Sequence, residues 1–124
     1  MKLAFAGTPE FARVVRFSLE LWRRSEGAFD PTLAPVINLW GFGEKTDQRR
    51  VPPEAELQAA MKTTGCQHLS VTTNDELVKD IPELTINLSA VAKGFGVDEM
   101  VRVLRGHELT NIYAAIAGEV RLLG

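Results

Sequence analysis

The stretch Leu88 to Asp98, "LSAVAKGFGVD", sets a single lysine among small residues and glycines: Ala92, Lys93, Gly94 and Gly96 stand where a strand-like pattern passes into a helical one. The start of a helix exposes backbone N–H groups that have no intrahelical acceptor, and the helix dipole adds partial positive charge there. An anion such as phosphate placed at that junction would meet those donors, with the Lys93 ammonium about one turn in. A second reading stands beside the first, in which Gly94 and Gly96 permit a close helix–sheet crossing while Lys93 reaches water. The stretch has neither the G-x-x-x-x-G-K-[ST] pattern of a P-loop nor the G-x-G-x-x-G spacing of a dinucleotide fold.

Other residues are suited to chemistry by type. In "GAFDP", Asp30 follows the pair Ala28-Phe29 and precedes Pro31. Its carboxylate could accept hydrogen bonds from the sugar or base of a ligand, or fix a turn, as Asp before Pro often does. Trp40 and Phe42 are placed either to stack on a planar ligand or to fill the core. His68 falls in an expected strand and His107 just beyond an expected helix. Neither has a partner at metal-ligand spacing, and neither is paired by spacing with a Ser or Cys nucleophile. Asp98, Glu99 and Glu119 are dispersed, and their spacing brings no two acids together. Cys66, the one cysteine, permits no internal disulfide and no thiolate cluster, and reads as a small apolar side chain.

The elements that must position these groups follow from periodicity and punctuation. Thr8-Pro9-Glu10 reads as an N-cap, a first helical residue and a first-turn acid. Phe11, Val14, Val15, Ser18 and Trp22 then recur at helical spacing, which predicts an amphipathic helix over 9–25 ending near Gly27. A short helix is expected around Leu33 to Leu39, a mobile excursion over Glu44 to Pro53, and a second full helix over Glu54 to Lys62. From "HLSVT" the period shortens, and that run and "ELTINLS" read as strands separated by the turn-like "TNDE" and "KDIP". Ser89 is the expected N-cap of a helix with Val91, Phe95, Val97, Met100, Val101 and Leu104 on its apolar face and Gly106 at C′. "NIYAAIA" and "VRLLG" close the chain as two strands joined at Gly118-Glu119. Helices first, then strands interrupted by one helix, predict an α+β fold, helices packed on a small, mainly antiparallel sheet.

Length and composition bound the answer. The 124 residues suit a single domain over 1–124. With 14 Lys+Arg against 16 Asp+Glu the formal net charge is −2. No basic stripe interleaved with aromatics is visible, so nucleic acid is not the expected partner. No apolar run approaches the ~20 residues that span a bilayer, so no membrane partner is expected. "MKLAFAG" is too short for a signal h-region and is followed by no lipid-attachment cysteine; as written, a cytoplasmic location is expected.

Three runs in order, "SEGAFDPTLAPVINLWGFG", "INLSAVAKGFGVDEMVRVL" and "NIYAAIAGEVRLLG", resemble the FAD:protein FMN transferase family, also called ApbE-like proteins or thiamine-biosynthesis lipoproteins. The resemblance covers about residues 9–124 and the central portion of a family member. It implies an α+β fold, FAD and Mg2+ as ligands, and transfer of FMN to a threonine hydroxyl of a flavoprotein with cleavage of the pyrophosphate. It further implies that Ala28, Phe29 and Asp30 contact the flavin nucleotide, that Lys93 contacts the FAD, and that the Ala90 backbone carbonyl is a magnesium ligand. Magnesium seeks oxygen ligands and spreads the charge of a pyrophosphate under attack, and a lysine stabilises the same charge.

The sequence departs from the family pattern in places. Asn87 occupies a site-residue position where the family usually has Asp, removing one charge. Ala117 stands where the family's "GGE" or "GGD" has its first glycine. The His-containing segment and the segment bearing the Asp and Thr magnesium ligands are expected beyond the "GEVR" strand and are not in this sequence, so no catalytic residue is assigned. The first dozen residues, "MKLAFAGTPEFA", resemble the start of methionyl-tRNA formyltransferases and read as a strand followed by a capped helix. Two expectations result: a truncated FMN-transferase-like protein that keeps part of an FAD/Mg-binding surface without transferase activity alone, and a non-catalytic structural or interaction protein that forms a homo-oligomer through exposed sheet edges.

Overall fold

A computed structural model describes residues 2–43 and 50–124 of the chain. The part of the expected Glu44–Pro53 excursion that falls on 44–49 lies outside the described residues. The chain divides into two compact units, Met1–Asn87 and Leu88–Gly124.

In the first unit, strand β1 (Leu3–Ala6) leads into helix α1 (Pro9–Arg24). The expected cap is present: Thr8 is extended and its hydroxyl accepts from Phe11 N at 3.2 Å, with Pro9 opening the helix. The helix ends on a Schellman motif in which Glu26 takes the left-handed C′ position and Gly27, next along, also has positive φ. Glu26 N–H donates to Arg23 O and Gly27 N–H to Trp22 O. The buried face of α1 is Ala12, Val14, Val15, Ser18 and Leu19, whereas Phe11, expected on that face, is exposed. Ser18 is tolerated there because its hydroxyl donates to Val14 O at 2.9 Å.

Helices α2 (Ala34–Leu39) and α3 (Glu54–Met61) follow and contact one another. A 3-10 turn over Cys66–His68 then enters strand β2 (Leu69–Val71), which pairs antiparallel with β3 (Glu76–Lys79). Between them Thr72 organises the turn: its hydroxyl accepts from Asn74 N and Glu76 N, and Asp75 takes a left-handed conformation. β3 is the middle strand, in the order β1-β3-β2 and antiparallel to both neighbours. Leu69 and Leu77 lie on one face of this sheet and are buried. Arg16 ties α1 to the β2–β3 turn, with one guanidinium nitrogen 2.7 Å from Asp75 Oδ1 and another donating to Thr72 O.

The run "ELTINLS" forms no strand. Those residues join neither edge of the β1-β3-β2 sheet, and Leu84 is buried. The Lys79 ammonium donates to Pro82 O (2.6 Å) and Leu84 O (2.9 Å), satisfying carbonyls that a ladder would otherwise take.

In the second unit, helix α4 (Ser89–Gly106) packs on the hairpin of β4 (Ile112–Ile116) and β5 (Glu119–Leu123). Its core is Val97 and Val101 against Ile112 and Ala114, with Leu104, Ile116 and Leu123 packed around them. Leu88, not Ser89, is the capping residue. At the other end Gly106 remains helical and Glu108 takes the left-handed C′ conformation, its N–H donating to Arg105 O while Leu109 N–H donates to Leu104 O.

The result is α+β, built among the described residues from four α-helices and two small antiparallel sheets. No helix among the described residues is long and apolar enough to cross a membrane.

Ile116 pairs with Glu119, so the β4–β5 loop is the two residues Ala117 and Gly118, with φ of 47° and 104°. Both central residues of a type I′ turn need positive φ, and Ala, unlike Gly, is strained there by roughly 1 kcal/mol or more. Ala117→Gly is expected to stabilise the chain by about 1 kcal/mol, seen as a higher urea midpoint at unchanged m-value.

Candidate functional site

The segment Ala28-Phe29-Asp30 is held from both sides. On the α1 side, Ser25 Oγ donates to Trp22 O and accepts from Phe29 N at 3.0 Å, while Ala28 N donates to Ser25 O. On the other side, Asp30 Oδ1 accepts from Thr32 N (2.8 Å) and from Thr32 Oγ1 (2.6 Å), closing an Asx turn across Pro31. Asp30 therefore does fix a turn, and it does so with one carboxylate oxygen.

The turn is fastened to the rest of the first unit by buried groups. Thr32 is 0% exposed, and its hydroxyl accepts from Gly65 N at 2.6 Å while donating to Asp30. Cys66 is 1% exposed, with its Sγ 3.4 Å from the same Asp30 Oδ1. Burial, followed by the neighbouring Asp30 charge and hydrogen bond, pushes the Cys66 thiol up to about 12. The cysteine is thus a neutral donor and not a latent thiolate. Asn87 joins from a third direction, its backbone N–H donating to Pro31 O at 2.7 Å. Two candidate positions far apart in sequence, Asp30 and Asn87, are in this way tied to one turn.

Ala90 and Lys93 belong to the second unit, on the first turns of α4. Lys93 Nζ lies 3.2 Å from Glu119 Oε2 on β5, an ion pair with both side chains half exposed. That carboxylate oxygen is buried and makes no hydrogen bond, so the contact is Coulombic without good donor geometry. Such a half-exposed pair is worth at most about 1 kcal/mol and is easily exchanged for another anion. The other expected acids meet bases as well: Asp98 pairs with Arg121, and Glu99 with Arg102 at 2.7 Å.

The two glycines after Lys93 differ. A Cβ at Gly96 would stand 3.0 Å from Ile116 Cδ1, so Gly96 serves the close helix–sheet crossing. A Cβ at Gly94 would meet nothing within 4 Å among the described residues, so packing gives no reason for a glycine in that helix.

His68 sits in the 3-10 turn before β2 rather than in the strand, and its Nδ1 is 2.8 Å from Asp80 Oδ1. His107 is the C-cap of α4. Trp40 and Phe42 are exposed, not core. Magnesium requires near-octahedral oxygen coordination. The resemblance assigns the Ala90 carbonyl to it, and no group of three or more His, Cys, Asp or Glu among the described residues could hold a metal. That donor set does not make a magnesium site unaided.

The roles of Thr32, Gly65 and Cys66 were missed in the sequence. Asp-Pro-Thr does carry the signature of an Asx turn, but nothing in the spacing of Thr32 and Gly65 announces that they meet.

The ApbE family model matches residues 3–124. The chain belongs to the ApbE family. The FAD:protein FMN transferase of Vibrio cholerae is 42% identical over 120 residues, covering 97% of this chain and 36% of that protein. The FAD:protein FMN transferase of Haemophilus influenzae is 36% identical over 118 residues, covering 93% of this chain and 34% of that protein. Among solved structures, the flavin transferase ApbE from Vibrio cholerae superimposes with a TM-score of 0.91 at 40% identity, over 98% of this chain and 39% of that one. The apo form of the Pseudomonas stutzeri flavinyl transferase ApbE gives 0.92 at 33% identity, over 98% and 40%. The chain spans about a third of the length of the curated relatives it matches. The match also takes in β1, which the three motif runs did not reach.

The Cys66 environment has a measurable consequence. The folded thiol ionises near 12 and an unfolded one near 9.0, so above pH 9 the unfolded state binds fewer protons and stability falls as pH rises toward 12. Urea unfolding between pH 8 and 11 is expected to show this decline, with a shallower slope in Cys66→Ala. A disulfide reagent at pH 8 should leave Cys66 unmodified until the chain is unfolded.

Proposed function

We propose that this chain carries flavin-nucleotide contacts of an FMN transferase, Ala28, Phe29, Asp30 and Asn87 in one unit and Lys93 in the other, each unit taken by itself. The observation that carries the reading is the family match along residues 3–124, within which all of these positions fall. The geometry lends support in three places. The Ala28–Asp30 turn is held rigidly by hydrogen bonds on both flanks. The Lys93 ammonium has a half-exposed, weakly held counterion that a phosphate could replace. Gly94 leaves open space beside Lys93, as close approach of a ligand to the helix requires.

FAD is the ligand this surface fits by chemistry: a pyrophosphate for the lysine and polar nucleotide groups for the carboxylate and amide. Magnesium, when bound with FAD, would neutralise pyrophosphate charge, and the Ala90 carbonyl is the one group of this chain proposed to reach it. Transfer of FMN is not expected from this chain alone, because the described residues lack a carboxylate cluster to hold the metal.

Isothermal titration with FAD and Mg2+ tests the reading. Saturable heat is expected, and no heat at millimolar ligand would overturn it. Lys93→Ala should weaken binding at least tenfold, the loss of one charge-assisted phosphate contact of about 1.5–3 kcal/mol, with the melting temperature little changed. Gly94→Ala should raise helix stability by about 0.5–1 kcal/mol while weakening FAD binding. Mass spectrometry of a threonine-containing acceptor peptide should show no added FMN.

One observation favours a second reading, self-association through the hairpin. On the face of the β4–β5 sheet turned away from α4, Tyr113 and Leu122 pair across the strands, each 69% exposed, with Val120 beside them. Packing of this face against a second copy would cover them. Sedimentation equilibrium at high concentration should then reveal a homo-oligomer, and a clean monomer would dismiss it.

A further inference from the structure

The Asp30 turn rests on a chain of buried donors and acceptors that no flavin contact explains. Thr32 has no solvent exposure, yet its hydroxyl is used twice, accepting from Gly65 N at 2.6 Å and donating to Asp30 Oδ1 at 2.6 Å. Thr32 N donates to the same oxygen at 2.8 Å, and the Cys66 thiol approaches it at 3.4 Å. Three donors thus converge on Oδ1 and none of them reaches Oδ2. Gly65 can meet the hydroxyl because it holds φ at 116°, a conformation that L side chains rarely adopt. The Pro31 carbonyl, inside the same turn, takes the Asn87 N–H at 2.7 Å.

We propose that Thr32 and Cys66 are positioning residues: they fix the Asp30 carboxylate through Oδ1, so that its other oxygen and the neighbouring Phe29 and Asn87 are presented to the flavin nucleotide in one orientation. This rests on the flavin-binding reading of the same turn. A carboxylate held by three donors loses little further rotamer freedom when a ligand arrives, so the network raises affinity by removing that ordering cost before binding. The oxygen left over can accept hydrogen bonds from ribose hydroxyls. The Cys66 thiol fits the role because its burial keeps it protonated, and a thiolate there would repel the carboxylate.

The test is titration of FAD and Mg2+ into the wild-type chain, Thr32→Val, Thr32→Ser, Cys66→Ala and Cys66→Ser, each with a melting curve and amide hydrogen exchange. Thr32→Val keeps the shape and removes the hydroxyl. It is expected to weaken FAD binding at least tenfold and to speed exchange at the Thr32 and Gly65 amides at least tenfold. Thr32→Ser, which restores the hydroxyl, should recover both within about threefold. Should Thr32→Val fail to fold, the cysteine pair carries the test: Cys66→Ala should weaken binding about threefold and Cys66→Ser should not. Equal FAD affinity in the wild type and Thr32→Val, or in the wild type and Cys66→Ala if the valine variant is unfolded, overturns the positioning role while leaving the flavin reading intact. Absence of FAD binding by the wild type overturns the flavin reading and, with no ligand to position, this role with it.

Discussion

A hydroxyl with no access to water must find its hydrogen-bond partners inside the protein, and the first unit is arranged around that requirement at Thr32. Its partners come from opposite directions, Asp30 in the same turn and Gly65 at the end of the connection from α3. Satisfying them fixes where the chain runs after α1 and where it enters β2. Cys66, next along, is buried against the same carboxylate, and Asn87 is drawn to the Pro31 carbonyl. The loss of that hydroxyl would leave the buried Gly65 N–H without its acceptor and take one of three donors from Asp30 Oδ1, so a single group constrains two segments at once.

The second unit depends on shape more than on polar satisfaction. Val97 and Val101 on successive turns of α4 face Ile112 and Ala114, and Gly96 lets the helix approach Ile116. A two-stranded sheet is marginal without such a helix, so the packing of α4 and the closure of the hairpin stabilise one another. Charge decorates the same surface in pairs, Lys93 with Glu119 and Asp98 with Arg121, each bridging helix and sheet. The Lys93 pair, half exposed, is a weak contact.

The elements that local physics controls were legible from the residues. Thr8-Pro9-Glu10 started a helix where a cap, a fixed φ and a favourable charge coincide, and the helix formed there. The α4 and β4–β5 patterns were equally clear. The misreadings fall where tertiary contacts outrank local preference. Gly106 suggested the left-handed position after α4, yet it stays helical and Glu108 takes that position, whereas after α1 both Glu26 and Gly27 have positive φ. "ELTINLS" has strand composition, but it joins no sheet, and the Lys79 ammonium, brought there by β3, takes up the Leu84 carbonyl. Phe11 kept helical spacing yet faces away from the core, since Ala12, Val15 and Leu19 fit the side on which the helix packs.

The candidate site divides along the same line. The sequence by itself determined the family and the α+β class, because motif identity and periodicity are properties of neighbours along the chain. Only the tertiary structure decided that Asp30 spends one oxygen on Thr32 and Cys66, that Lys93 rests on Glu119, and that Gly94 is open where Gly96 is packed. Those outcomes depend on groups tens of residues apart meeting within hydrogen-bond distance, and such meetings are set by burial and satisfaction of the whole unit rather than by spacing in the chain.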